Sequence, residues 1–130
     1  MSLKKGYKAL LTEADAEVEA ISAAEAMALL GDEEVLIVDL RDVRELKREG
    51  YIPGSVHAPR GMLEFWVDPE SPYHKEIFSS GKRLVLHCAA GWRSALAAKT
   101  LQDMGMENVC HMAGGFDAWK EAGGTVAFRP

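Results

Sequence analysis

The sequence predicts an α/β fold with a central, mostly parallel sheet flanked by helices. Three observations predict it. Val35-Leu36-Ile37-Val38 and Leu84-Val85-Leu86 are unbroken apolar runs, the pattern of strands covered on both faces. Strand-like runs, five in all, alternate with helical stretches, as in a chain of crossover units. Capping and stop residues stand between the two kinds of segment.

Taken in order, Tyr7, Leu10, Leu11, Ala14, Val18 and Ile21 recur at near-helical spacing, with Glu13, Asp15, Glu17 and Glu19 between them. They predict an amphipathic helix lying on the domain, and residues 1–20 are read as an N-terminal helical extension to a domain spanning 21–130. Ser22-Ala23-Ala24-Glu25 is a capping box, opening a helix expected to run to Leu30 and stop at Gly31. The Val35–Val38 strand follows. Gly50 fits a helix stop, Pro53-Gly54 a tight turn, and Ser55–Ala58 a short strand closed by Pro59. Met62–Val67 and Tyr73–Phe78 read as short helices, Asp68–Pro72 as a loop, and Arg83–Leu86 as a buried strand. A helix over 95–104 stops at Gly105, Asn108–Met112 reads as a strand, and a last helix ends at Gly123-Gly124 before an extended tail, Thr125–Pro130.

Bulk properties exclude several classes. The chain of 130 residues is 48% hydrophobic and 27% charged, enough for one real core. A net charge of −5 and a pI near 5.4 argue against a general nucleic-acid binder. No run of 18 apolar residues is present, and the Lys4-Lys5 start is not followed by the apolar stretch of a secretory signal, so no membrane partner is expected. Two cysteines in a chain with this much core suggest no disulfide scaffold, which fits a reducing, cytoplasmic setting. The four histidines show no metal-ligand spacing with the cysteines, and no metal or organic cofactor is expected.

The chain is organised around His87-Cys88-Ala89-Ala90-Gly91-Trp92-Arg93-Ser94. Cys88 falls where a strand ends and a helix begins, the edge at which open α/β sheets bind ligands. A loop entering a helix turns several N–H groups inward and favours an anion. With Arg93 five residues on, the Cys88 thiol is expected to be partly ionised near neutral pH. The bland alternative is a buried structural cysteine. Cys110, in the middle of an apolar strand, is read as burial rather than as a resolving thiol, and His87 as packing rather than a base.

The Cys-x4-Arg spacing is one residue shorter than the Cys-x5-Arg loop of cysteine phosphatases. The form Cys-Ala-Ala-Gly-Trp-Arg-Ser resembles the Cys-x-x-Gly-x-Arg-Ser loop of single-domain rhodanese-like sulfurtransferases. The resemblance extends from about Ile21 to Gly124. Asp39, Arg41, Glu45, Gly50, Ile52, Pro53 and Gly54 match the family's Asp-x-Arg, glutamate and Gly-His-Ile-Pro-Gly pattern, with Tyr51 in place of the usual His and Ser55 where Ala is common. Gly114-Gly115-Phe116-Asp117-Ala118-Trp119 is similar to its Gly-Gly-Phe-x-Ala-Trp ending.

The resemblance implies a three-layer rhodanese-like fold and a thiosulfate sulfurtransferase activity. Cys88 would carry a persulfide sulfur taken from a small anionic donor and passed to a thiol, protein or cyanide acceptor. Ala89, Ala90, Gly91, Trp92, Arg93 and Ser94 would bind the donor. Asp39, Arg41, Glu45 and Arg60 would support the site, the first three preferentially as an ion-pair network steadying the sheet edge. Arg60 stays open between the rim of the site and a solvated surface, and Trp92 between the rim and packing on a neighbouring helix. A non-catalytic rhodanese binding module and, further off, a cysteine phosphatase or arsenate reductase are the alternatives.

Overall fold

The computed structural model describes residues 2–129, so Met1 and Pro130, the outer ends of the two ranges above, lie outside the described residues. Along the chain come α1 (Tyr7–Glu17), β1 (Glu19–Ile21), α2 (Ala23–Ala28), β2 (Val35–Asp39), α3 (Val43–Glu49), β3 (Val56–His57), α4 (Leu63–Val67), β4 (Arg83–His87), α5 (Trp92–Asp103), β5 (Val109–Met112) and α6 (Gly115–Glu121). Short 3-10 turns lie at Arg60–Met62 and Glu76–Ser79, the second replacing most of the helix expected over Tyr73–Phe78. The strands form one sheet in the order β1-β5-β4-β2-β3, and every neighbouring pair is parallel.

Strand alternation builds the three layers. Leu36, Val38, Leu84 and Leu86 face one side, where they meet Ala97, Ala98 and Leu101 of α5, Leu63 and Val67 of α4, and Phe78. Ile37, Val85, Cys110 and Met112 face the other, against Ala23 and Ala26 of α2 and Phe116 and Trp119 of α6. Both faces of β2 and β4 are therefore buried, which is why these two strands read as unbroken apolar runs.

The fifth strand is Glu19–Ile21, a stretch the helical spacing had assigned to the N-terminal helix. Helix α1 stops at Glu17, and the chain then pairs Glu19, Ala20 and Ile21 with Cys110, His111 and Met112 of β5. Strand β1 thus crosses the division drawn between residues 20 and 21. Only Ile21 of its three residues is buried, so its strand character comes from the partner rather than from its own pattern. The Ser22 box is intact: Ser22 Oγ accepts from the Glu25 N–H, and the Glu25 carboxylate accepts from the Ser22 N–H. Helix α2 ends at Ala28, and turns carry the chain to Gly31 in the left-handed region. In the tail, Ala127 pairs antiparallel with Tyr51 as a single bridge.

The order of the strands places the site. Strands β2 and β4 are neighbours, but the chain leaves β2 toward β3 on one side and β4 toward β5 on the other. The loops after them diverge, and the cleft between them is the switch point of the sheet. Asp39 and His87 end the two strands opposite one another, and Cys88 is the next residue.

Candidate active site

Gly91, with φ of 107°, turns the chain from Cys88 into α5 and caps that helix. A side chain there would be strained, and its Cβ would lie 3.3 Å from Gly114 N. The turn brings the Gly91 N–H to 3.2 Å from Cys88 Sγ, which accepts from it. The N–H groups of Trp92, Arg93 and Ser94 follow in the first turn of α5, where no carbonyl of their own helix can reach them. Cys88 is 1% exposed, so its sulfur is presented from within the loop rather than on the surface.

The loop is held from outside. The Phe116 N–H donates to Cys88 O at 2.7 Å and the Asp117 N–H to Ala89 O at 3.1 Å. The two backbones approach so closely that a Cβ on Gly115 would lie 2.5 Å from Cys88 O. Here lies the physical reason for the second glycine of the Gly-Gly-Phe motif. The Cys88 and Ala89 carbonyls are thus tied to the start of α6, while the Gly91 N–H faces the sulfur.

Beneath the loop, Arg41 and Asp39 form a buried, bidentate ion pair. Arg41 Nε and Nη2 donate to the two carboxylate oxygens at 3.0 and 2.8 Å, Nη2 also reaches Gly50 O at 2.8 Å, and the guanidinium lies 4.1 Å from the centre of the Phe116 ring. Burial alone would raise the Asp39 pKa; the Arg41 hydrogen bonds and the charges of His87 and Arg41 outweigh it and hold the carboxyl below its ordinary range. His87 is sealed beside this pair, its ring stacked toward Phe116 and its Nε2 3.7 Å from the Asp39 carboxylate, without a hydrogen-bond partner. Burial, reinforced by Arg41 and opposed by Asp39, keeps it below the usual imidazole range. Asp39 and Arg41 thus satisfy each other at the end of β2.

Glu45 does not join that pair. Its two carboxylate oxygens accept from Arg93 Nη1 and Nη2, each at 3.2 Å, so the one cation of the loop shares its charge with α3. Arg60 lies elsewhere: its guanidinium donates to Glu64 at 2.8 Å and approaches Thr100 Oγ1 at 3.5 Å, about two turns along α5 from the loop. It braces α4 against α5 and does not face the cysteine. Trp92 is both packed and exposed. Its ring packs 5.2 Å from that of Tyr7 on α1, yet it remains 60% exposed at the mouth of the loop. Ala90, Gly91 and Trp92 border one depression, on the side of α1, and Ala89 borders another, on the side of α3. Cys110 is buried on the opposite face of the sheet, where burial pushes its thiol up against the opposing pull of Arg83.

One contact was missed from the sequence. Ser94 Oγ lies 3.7 Å from Cys88 Sγ and 2.9 Å from His111 Nδ1. The available signal was alternation: with Cys110 on one face of β5, His111 must point to the other, toward α5. Among the described residues no cluster of His, Cys, Asp and Glu could hold a metal ion, and no helix is long and apolar enough to cross a membrane.

The fold and site together define a wholly parallel α/β domain with a cysteine at the switch point of its sheet, set in a short loop pinned by a glycine pair. Residues 22–122 match the family model of the rhodanese-like domain, and the chain belongs to that family. It is 33% identical over 102 residues to the thiosulfate sulfurtransferase GlpE of Pseudoalteromonas translucida, covering 78% of this chain and 89% of that one. A mouse thiosulfate sulfurtransferase/rhodanese-like domain-containing protein 3 is 31% identical, over 76% of this chain and 66% of its own length. Among solved structures, a Rhodopseudomonas palustris protein of unknown function, named a possible tyrosine phosphatase, is 53% identical with a TM-score of 0.95, over 98% of both chains. A rhodanese-related protein of Thermoplasma volcanium matches at 27% identity and a TM-score of 0.70, over 85% of this chain and 99% of that one.

Proposed function

We propose that this chain is a sulfurtransferase that carries sulfur as a persulfide on Cys88. The observation that carries the reading is the Gly91 N–H aimed at Cys88 Sγ at the head of α5, in a loop one residue too short for the phosphatase spacing. The Cys88 thiolate attacks the outer sulfur of thiosulfate; the sulfur–sulfur bond of the donor breaks and sulfite leaves with its electron pair. The outer sulfur stays on Cys88 as a persulfide anion, and the N–H groups of Ala89 to Ser94 stabilise its charge as an oxyanion hole would. A thiolate or cyanide acceptor then attacks that terminal sulfur, and Cys88 leaves as thiolate. Each half-reaction conserves charge, and the cycle is a double displacement with ping-pong kinetics. Arg93 attracts the anionic donor, and its pairing with Glu45 sets where the guanidinium stands.

Intact mass before and after incubation with thiosulfate tests the reading. The parent is expected to gain one sulfur atom and to lose it to cyanide, while Cys88→Ser gains none. No gain on a reduced Cys88 refutes thiosulfate as donor. Hydrolysis of an aryl phosphate that depends on Cys88 would instead assign the phosphatase chemistry named for the Rhodopseudomonas protein.

A further inference from the structure

Behind Cys88 runs a line of polar groups that sulfur transfer as written above leaves idle. Ser94 Oγ stands 3.7 Å from Cys88 Sγ and 2.9 Å from His111 Nδ1, with Gly91 O as its other neighbour at 3.2 Å. Ser94 is fully buried and His111 is 4% exposed. The line nevertheless has an outlet. Among the described residues, His87 Nε2 is the one buried side-chain nitrogen or oxygen without a hydrogen-bond partner. His111 Nε2, which has no hydrogen-bond partner among the described residues, therefore keeps some exposure. It opens on the depression of about 230 Å³ that His111 lines together with Leu11, Asp15, Gly91 and Trp92.

We propose that Ser94 and His111 form a proton path for Cys88, with His111 as a positioning residue that acts through the serine. The proposal rests on the reading of Cys88 as a sulfur-attacking nucleophile. Where Cys88 is still a thiol, its proton passes to Ser94 Oγ as Sγ attacks, and the serine's own proton passes to His111 Nδ1. The proton on Nε2 leaves to water in the depression, so the imidazole ends neutral, as its other tautomer. The path removes the thiol proton without calling on Arg93, whose charge is shared with Glu45.

The surroundings of His111 favour a neutral ring. From α1, Asp15 is the charged group that faces it; β1 presents Ala20, β4 presents Leu86, and α5 presents Ser94 and Ala95, none of them charged. Burial lowers the His111 pKa below the ordinary imidazole range, and Asp15 works the other way.

The test is the rate at which iodoacetamide alkylates Cys88, followed by mass of the Cys88 peptide, from about pH 4.5 to 9.5. The wild-type profile is expected to rise twice, once as His111 loses its ring proton and again as the thiol ionises. His111→Asn keeps an acceptor near the position of Nδ1 but cannot titrate. It is expected to lose the lower rise, to react about a hundredfold more slowly on the plateau between the two, and to meet the wild type at high pH. Asp15→Asn, an exposed change that leaves the fold alone, moves the lower rise to more acid pH because the carboxylate no longer favours the imidazolium.

A single rise in the wild type, a His111→Asn profile that overlays it, or an unmoved Asp15→Asn profile overturns the path. Should His111→Asn not fold, Asp15→Asn decides alone. Persulfide formation without these pH signatures leaves sulfur transfer standing and removes the path. The signatures without persulfide do the reverse, and no alkylation of Cys88 at any pH removes both.

Discussion

The buried pair Asp39–Arg41 gives the sharpest test of how this site is held. Replacing Arg41 by Leu leaves a carboxylate sealed beside Phe116 and His87 with no cation. Removing one partner of a buried pair costs about 3–5 kcal/mol. For 130 residues, an unfolding entropy near 2.1 cal/mol/K per residue gives roughly 0.27 kcal/mol/K, so the melting temperature should fall by about 11–18 °C at pH 7. The pH dependence has a definite sign. In the parent the folded Asp39 pKa lies below 3.8, so its contribution is complete above that value and is lost as the pH falls through the folded pKa. In Arg41→Leu burial acts unopposed by the guanidinium, the folded pKa rises, and the penalty is relieved as the pH falls through it. The gap between variant and parent should therefore narrow between neutral pH and about pH 3. Thermal melts followed by circular dichroism across that range measure it. A double variant, Asp39→Asn with Arg41→Leu, should melt above Arg41→Leu alone. A neutral-pH loss under about 4 °C, or a gap that ignores pH, would refute the argument that this pair is a coupled structural brace.

Three further outcomes are expected. Gly115→Ala forces φ of +60° and a Cβ against the Cys88 carbonyl; it should cost about 2 kcal/mol or more and abolish persulfide gain, and a variant that melts and loads like the parent removes the clamp from the account. Ser22→Ala loses the capping box and should cost about 1 kcal/mol, with sulfur loading untouched; calorimetry showing no loss would mean that α2 is held by its packing alone. Trp92→Ala should leave loading by thiosulfate intact and change the relative rates of bulky and small thiol acceptors; identical rates with every acceptor would end the idea that this ring shapes acceptor choice.

The features visible in the sequence were those with a local cause. Strands β2 and β4 are apolar because both faces are covered, and Ser22, Gly50 and Gly31 act on the helices beside them. What escaped detection depends on distant partners. Val18 and Ile21 continue the spacing of Ala14 by coincidence, and Glu19–Ile21 becomes a strand because β5 offers it an edge. Motif matching located Gly115 and Glu45. It could not say that Gly115 meets the carbonyl of Cys88, or that Glu45 takes the Arg93 guanidinium instead of joining Asp39 and Arg41. Nor could spacing place Arg60 beside Thr100, since the 3-10 turn at Arg60–Met62 and α5 meet only once the sheet is formed. His111 lies seventeen positions from Ser94, and only the crossover from α5 back into β5 brings the two together.

The clamp on the loop also sets an order of events. The sulfur-facing loop begins at Cys88, but the amides that tie its carbonyls belong to Phe116 and Asp117, and β1 finds its partner only in β5. A chain emerging from the ribosome thus carries Cys88 in an untied loop until α6 has been made. Strands β1 and β5 then close one edge of the sheet together, and the loop takes its shape late in folding, so a chain stalled before α6 keeps a thiol without this loop held around it.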